Sequence, residues 1–312
     1  MGNAYSFYSE SYPPASTFSV DDIPDLSGQV IIVTGANTGI GEETVKALLQ
    51  HKAKVYLAAR SQDKAEQAIQ DLKQQTGGKE AIFLKLDLAD FKSVKSGAEE
   101  FLSKEKELHV LFNNAGVMMA PVPLITAQGY DLQFGTNVLG HFYFTKLLLP
   151  TLLATTKASP SGKARVINTS SFASRMGKLD FNTFKDGPAR RKLSTITLYN
   201  QSKFGNVVFS SELARRYGDE GIVSVSLNPG NLKTDLGRHL PGPLRNIMAY
   251  LIHPAPLGAL TQLWAGTTGE GLTMNGKYLI PWARYSTANP EALNEDLGKE
   301  LWTWLEEQIQ DV

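Results

Sequence analysis

Val30-Ile31-Ile32-Val33-Thr34-Gly35-Ala36-Asn37-Thr38-Gly39-Ile40-Gly41 decides the fold. Its first four residues are all β-branched and read as a strand buried on both faces. A Gly-rich turn follows at once and opens a helix. Gly35 permits the tight turn, and Gly39 and Gly41 let backbone approach a phosphate at the positive helix end. With Asn37, Thr38 and Ile40 between the glycines, the turn offers a seat for a dinucleotide pyrophosphate. A Gly pattern alone is weak; the strand–turn–helix context gives it meaning.

Outward from this stretch, short β-rich runs alternate with amphipathic ones. Strands are predicted over 30–33, 54–59, 81–86, 110–112, 165–168, 223–227 and 277–280. Helices are predicted over 39–50, 62–75, 91–104, 126–153, 198–217, 257–265 and 290–310. Repeated βα units imply an α/β fold: one doubly wound parallel sheet of Rossmann type, with helices on both faces. That domain is expected over 28–312. Residues 1–27 carry aromatics among Ser and Pro without helical or strand period, and read as an extension that drapes over the domain or stays partly mobile. Two loop-like regions, 172–197 and 232–256, follow strand C-terminal ends, where open α/β sheets place ligands.

The 312 residues suffice for one large α/β domain. With 31 basic and 31 acidic residues, bulk charge gives no support to a nucleic-acid surface. The absence of cysteine excludes disulfides, thiolate metal sites and a cysteine nucleophile, and fits a cytoplasmic location. The longest apolar run, 139–153, is interrupted by His141 and Lys146 and is too short to span a membrane. Met1-Gly2-Asn3-Ala4-Tyr5-Ser6 fits the N-myristoylation pattern, so weak membrane association through the N-terminus stays open, as does a homo-oligomer. A single acyl chain would anchor only marginally. No histidine has a partner at ligand spacing, and no metal site is expected.

The second strand ends Ala58-Ala59-Arg60-Ser61. No carboxylate is there to repel a 2′-phosphate, and Arg60 can stack on adenine and pair with that phosphate. Lys64, one turn into the next helix, adds charge. Cofactor choice therefore reads as NADP(H). Asp87, with Leu88 beside it, ends the third strand, where its carboxylate can accept from the adenine amino group; capping a helix is the alternative. Asn113-Asn114-Ala115-Gly116 ends the fourth, where small residues let a cofactor lie against backbone and the amides can brace the strand ends.

Tyr199-Asn200-Gln201-Ser202-Lys203 puts a phenol and an ammonium four apart on one helical face. A phenol of pKa about 10 is a poor base at neutral pH, and a nearby cation lowers that value. Upstream, Val166-Ile167-Asn168-Thr169-Ser170-Ser171 is a strand ending in two hydroxyls at the ligand edge. One can hold a substrate carbonyl oxygen; both could equally serve turn chemistry.

In this order the motifs resemble the short-chain dehydrogenase/reductase family over about residues 28–285. The resemblance implies that Tyr199 is the acid/base, that Lys203 lowers its pKa and binds the nicotinamide ribose, and that Ser171 rather than Ser170 positions the carbonyl or alcohol. It places the family's helix asparagine at Asn137, bracing the site and a water-mediated proton path to Lys203. It implies cofactor contacts from Asn114, Ala115, Gly116, Pro229, Gly230, Leu232 and Thr234, with Thr234 on the nicotinamide amide. One departure stands out. Ser171 and Tyr199 lie about twice as far apart as is usual, because 175–197 is long and contains Arg190-Arg191-Lys192. That looks like the branch of retinol-dehydrogenase-like, WW-domain-oxidoreductase-like and related fungal proteins. The apolar residues Leu232, Leu236, Leu240, Leu244, Ile247 and Met248 suggest an apolar carbonyl or alcohol substrate, or else cover the sheet edge. The other function class considered is a dinucleotide-binding regulator with little turnover; the complete Asn/Ser/Tyr/Lys set argues against it.

Overall fold

The computed structural model describes residues 2–232, 252–310 and 312. The predicted alternation closes into one eight-stranded sheet, in the order β3-β2-β1-β4-β5-β6-β7-β8. The strands are β1 (Val30–Thr34), β2 (Lys54–Ala59), β3 (Ile82–Lys85), β4 (Val110–Asn113), β5 (Ala164–Thr169), β6 (Ile222–Leu227), β7 (Tyr278–Ile280) and β8 (Arg284–Ser286). Strands β1 to β7 pair in parallel, and β8 returns antiparallel on β7. This last strand was not predicted: Arg284, Tyr285 and Ser286 form no apolar run, and the edge they make needs only one buried neighbour. The order reverses between β1 and β4, which opens a crevice at their C-terminal ends.

Every residue of β1, β4, β5 and β6 is buried, including the polar Asn168, Ser224 and Ser226, so both faces of the sheet are covered. Alternate side chains feed two cores, one on each face. Ile32, Tyr56, Leu111 and Val166 pack with Phe101, Phe142, Phe204 and Trp302. Ile31, Val55, Phe112 and Ile167 pack with Leu48, Leu72, Leu263 and, from the N-terminal region, Phe18, Ile23 and Leu26.

Among the described helices, α1 (Gly2–Ser11) precedes the sheet. Helices α2 (Gly39–Gln50), α3 (Gln62–Gln75) and α4 (Phe91–Lys104) follow the first three strands. Asp90, not Asp87, caps α4, its carboxylate accepting from the Lys92 amide. Helix α5 (Leu132–Phe134) runs through a π-helical turn, Gly135–Gly140, into α6 (His141–Ala158). The whole stretch Leu132–Ala158 is a 27-residue helix, long and apolar enough by composition to cross a membrane, which the run 139–153 alone did not suggest. Its apolar side chains are largely spent in the core, including Phe134, Phe142, Phe144 and Leu152.

The region 172–197 is not a plain loop. It holds 3-10 turns at Phe172–Met176 and Phe181–Thr183, the short helix α7 (Pro188–Arg191), and the start of α8 (Thr195–Tyr217). Helices α9 (Ala255–Thr267) and α10 (Glu295–Gln308) complete the layers, α10 after a 3-10 turn at Pro290–Leu293.

Residues 2–11 of the N-terminal extension, in which the sequence shows no helical period, form α1, and its end is bonded to the domain. Glu10 and Ser11 at its end are 3% and 2% exposed. Burial of these two residues against distant parts of the chain supplies what their local sequence does not advertise.

Candidate active site

The Gly-rich turn is pinned to both neighbouring strand ends. Gly35 has φ +63° and its amide donates to the Ala58 carbonyl at 2.8 Å. A Cβ there would lie 2.8 Å from the Ala115 Cα. Gly39 also needs its positive φ, +61°, as it enters α2. Gly41 is also required by packing. A Cβ on it would meet the Gly35 carbonyl oxygen at 2.5 Å and Asn114 Nδ2 at 2.7 Å. Its lack of a side chain lets α2 approach the turn and the segment that follows β4.

A groove runs from this turn along the crevice. It is lined by Gly35, Asn37, Thr38, Gly39, Ile40 and Gly41, then by Arg60, Asp87 and Leu88, then by Asn114, Ala115 and Gly116. Motifs 80 residues apart in sequence are thus brought to one trough. Arg60 is exposed on the groove wall at the end of β2, with its carbonyl held by Lys85 Nζ at 2.6 Å. Lys64 is exposed on α3 and lies outside the lining. One carboxylate oxygen of Asp87 accepts from the Ala89 amide at 3.0 Å, bracing its own loop beside the groove. Sequence reasoning missed Ala58, Ala59, Leu86, Val117 and Thr136, which also line it. Thr136 Oγ1 is buried with no hydrogen-bond partner, the kind of atom that a bound polar ligand satisfies. The cradle therefore fits a dinucleotide: small backbone-lined walls, a helix N-terminus, a cation and an unspent hydroxyl.

One hydroxyl organises the floor. Thr34 Oγ1 accepts from the Asn114 and Ala115 amides, both at 3.0 Å, and lies 2.9 Å from His141 Nε2. His141 Nδ1 lies 3.0 Å from the Asn137 carbonyl, which can only accept. Nδ1 therefore carries the proton, Nε2 accepts, and Thr34 donates to it. Burial pushes the imidazole down to about 4, keeping it neutral in that role. Asn113 pairs with Asn168 across β4 and β5 at 2.9 Å and so braces strand ends. Asn114 both braces, through Nδ2 to the Thr34 carbonyl at 2.9 Å, and faces the groove.

Beyond Gly116 the predicted catalytic side chains meet. Asn137 is locked face to face with the Val117 backbone, Oδ1 accepting at 2.8 Å and Nδ2 donating at 3.0 Å, and also donates to Ser202 Oγ at 2.9 Å. Lys203, on α8, donates to the Thr169 carbonyl at 2.9 Å. Gly116 leaves open the space before this amine: a Cβ there would lie 3.5 Å from Lys203 Nζ and 3.3 Å from Asn137 Oδ1. The Tyr199 hydroxyl is hydrogen-bonded to the Ser171 side chain. Ser170 is turned away and buried, its hydroxyl donating to the Lys203 carbonyl at 2.6 Å. The two adjacent hydroxyls thus face opposite ways.

The electrostatics correct one expectation. Tyr199 is not lowered by the neighbouring ammonium. Burial pushes the phenol up to about 12, with the Ser171 hydrogen bond acting the other way. The same burial brings Lys203 down to about 8. Lys203 Nζ lies 5.9 Å from the centre of the phenol ring, and burial of the phenol is the larger effect.

Arg190 is likewise not a substrate-facing cation. Its guanidinium is fully buried, bonded to Asp131 at 3.1 Å, Asp186 at 2.8 Å and the Val122 and Leu124 carbonyls. It clamps the long insertion onto the segment after β4. Arg191 is exposed and pairs with Asp186.

After β6, Gly230 takes φ +92°, and a Cβ there would strike the Trp282 ring at 2.9 Å. Pro229 precedes it. Leu232 packs near Ile40 against Gly258, where a Cβ would meet side-chain atoms of both. Thr234, Leu236, Leu240, Leu244, Ile247 and Met248 lie outside the described residues.

The short chain dehydrogenase family model matches residues 29–184. A short-chain dehydrogenase/reductase of Armillaria gallica is 62% identical over 311 residues, covering 100% of both chains. Retinol dehydrogenase 11 of Homo sapiens is 37% identical over 279 residues, covering 89% of this chain and 84% of its own. Among solved structures, an uncharacterised protein of Mycobacterium paratuberculosis superposes with a TM-score of 0.75 at 26% identity, over 94% of this chain and 97% of its own.

Proposed function

Since this chain belongs to the short-chain dehydrogenase/reductase family, we propose that it is an NADP(H)-dependent oxidoreductase acting on an apolar carbonyl or alcohol. The observation that carries the reading is the meeting of Ser171, Tyr199 and Lys203 next to Gly116, which lines a groove that also holds Arg60 and no carboxylate at positions 58–61. When bound, the nicotinamide would supply or accept the hydride. Tyr199 would pass its phenolic proton to the substrate oxygen, and Ser171 would hold that oxygen by hydrogen bond. A phenol at about 12 keeps its proton at neutral pH, which suits it as the proton donor in carbonyl reduction. Lys203 would bind the nicotinamide ribose and return a proton to Tyr199, with the Asn137 brace holding the approach. Similarity to a retinol dehydrogenase supports an apolar alcohol or aldehyde as substrate.

The test is a comparison of initial rates with NADPH and NADH over aldehydes and ketones of increasing chain length, for wild type and Arg60→Asp. Wild type should prefer NADPH, and the variant should lose that preference. Equal use of both cofactors by wild type would remove the argument from Arg60.

A further inference from the structure

Helix α1 reaches the catalytic end of the sheet, and the proposed function uses none of it. Glu10 is 3% exposed and both of its carboxylate oxygens are engaged. Oε1 accepts from Arg175, at 2.8 Å from Nε and 2.7 Å from Nη2. Oε2 accepts from Asn228 Nδ2 at 2.7 Å. Ser9 and Ser11 extend the attachment. The Ser9 carbonyl accepts from Arg284 at 2.9 Å, and the Ser11 carbonyl accepts from His253 Nε2 at 3.0 Å.

The two partners of Glu10 sit where the reaction needs fixed backbone. Arg175 belongs to the 3-10 turn that Ser171 caps, the Ser171 hydroxyl accepting from the Ala173 amide. Its guanidinium also lies 5.6 Å from the centre of the Tyr278 ring, whose hydroxyl donates to the Ser171 carbonyl at 3.4 Å. Asn228 relays in the other direction. Its Oδ1 accepts from the Gly230 amide at 3.0 Å, in the Pro229-Gly230 turn. A carboxylate has only acceptors to offer, so Glu10 sets which way the Asn228 amide points. It turns the NH2 toward itself and leaves the oxygen for Gly230.

We propose that Glu10 is a positioning residue of the hydride-transfer site, holding the Ser171 turn through Arg175 and the Pro229-Gly230 turn through Asn228. The proposal rests on the oxidoreductase reading above. It makes the N-terminal arm a working part of the catalytic end.

Glu10→Gln discriminates this role from a merely structural one. A glutamine has one acceptor and one donor. If its oxygen faces Arg175, its NH2 faces Asn228, whose amide must flip and leave the Gly230 N–H without an acceptor. Asn228→Ala removes the same relay while leaving the Glu10–Arg175 pair. Each variant should lower kcat and weaken NADPH binding, read by tryptophan fluorescence, by about 10-fold or more, the worth of a hydrogen bond to a charged group. The primary isotope effect with 4-deuterated reduced cofactor should rise, because a misplaced nicotinamide slows the hydride step itself. The double variant should be no worse than the poorer single one, since both cut one relay. Unchanged isotope effect and NADPH affinity at a lowered melting temperature would overturn the proposal, as would fully additive losses. If Glu10→Gln does not fold, a wild-type isotope effect in Asn228→Ala overturns it alone. Absence of turnover by wild type with either cofactor would instead strike the oxidoreductase reading, while the fluorescence titration still reports on the relay.

Discussion

Removing the amine of Lys203 should abolish a pH dependence of stability that the ligand-free chain owes to one residue. Lys203 is 3% exposed, and burial lowers it from 10.5 to about 8. Below about pH 8 the folded and unfolded chains both carry its proton. Above about 10.5 neither does. Between the two, the unfolded chain holds a proton that the folded chain has released. Stability must therefore rise with pH across that window. At about 1.4 kcal/mol per unit, the full rise is roughly 3 kcal/mol. The perturbation is Lys203→Met, which keeps the length and removes the titration. The assay is urea unfolding of wild type and variant without cofactor at intervals from pH 7 to 10.5. All other titrations are common to both proteins and drop out of the difference. Wild type should gain on the variant by roughly 3 kcal/mol from the low end to the high end. A difference that stays flat would mean that the amine is solvated, and the account of a dry catalytic lysine would be wrong.

Three further outcomes follow from the same geometry. Tyr199→Phe keeps the buried ring and removes the transferable proton, so turnover should fall by about 10²- to 10⁴-fold with cofactor affinity retained in a direct titration. Ser171→Ala should cost far more turnover than Ser170→Ala; the latter removes the bond to the Lys203 carbonyl and should appear mainly as about 1 kcal/mol of lost stability, and the reverse ranking would refute the assignment of the two hydroxyls. Arg190→Ala strips the counter-charge from buried Asp131 and should destabilise the protein by about 3–5 kcal/mol in chemical denaturation, whereas Arg191→Ala, at the surface, should cost under about 1 kcal/mol.

Much of this molecule was legible because its sheet is buried on both faces. Runs such as Val30–Thr34 and Val110–Asn113 open on unbroken apolar residues, with no polar alternation to confuse them. The groove residues were legible because turn chemistry is local: Gly35 and Gly39 announce a backbone that other residues rarely adopt. What escaped depends on partners far away in sequence. Arg190 looks like a solvated cation until Asp131 and two carbonyls surround it. The phenol of Tyr199 looks lowered by Lys203 until the burial of both is known. The Thr34–His141 contact joins residues 107 apart, and no spacing rule relates them. Helix α1 has no apolar stripe to betray it; what anchors it is one carboxylate whose partners come 165 and 218 residues later.

That last separation sets an order of assembly. Synthesis delivers the arm first, yet its dock is made of Arg175, Asn228, His253 and Arg284. The dock is not complete until Arg284 has been made. Until then Glu10 has no counter-charge and has every reason to remain hydrated. Strands β1 to β6 can pair and gather their helices meanwhile, since none of their contacts waits on the arm. The arm, made before every part of its dock, is accordingly among the last segments to find its place.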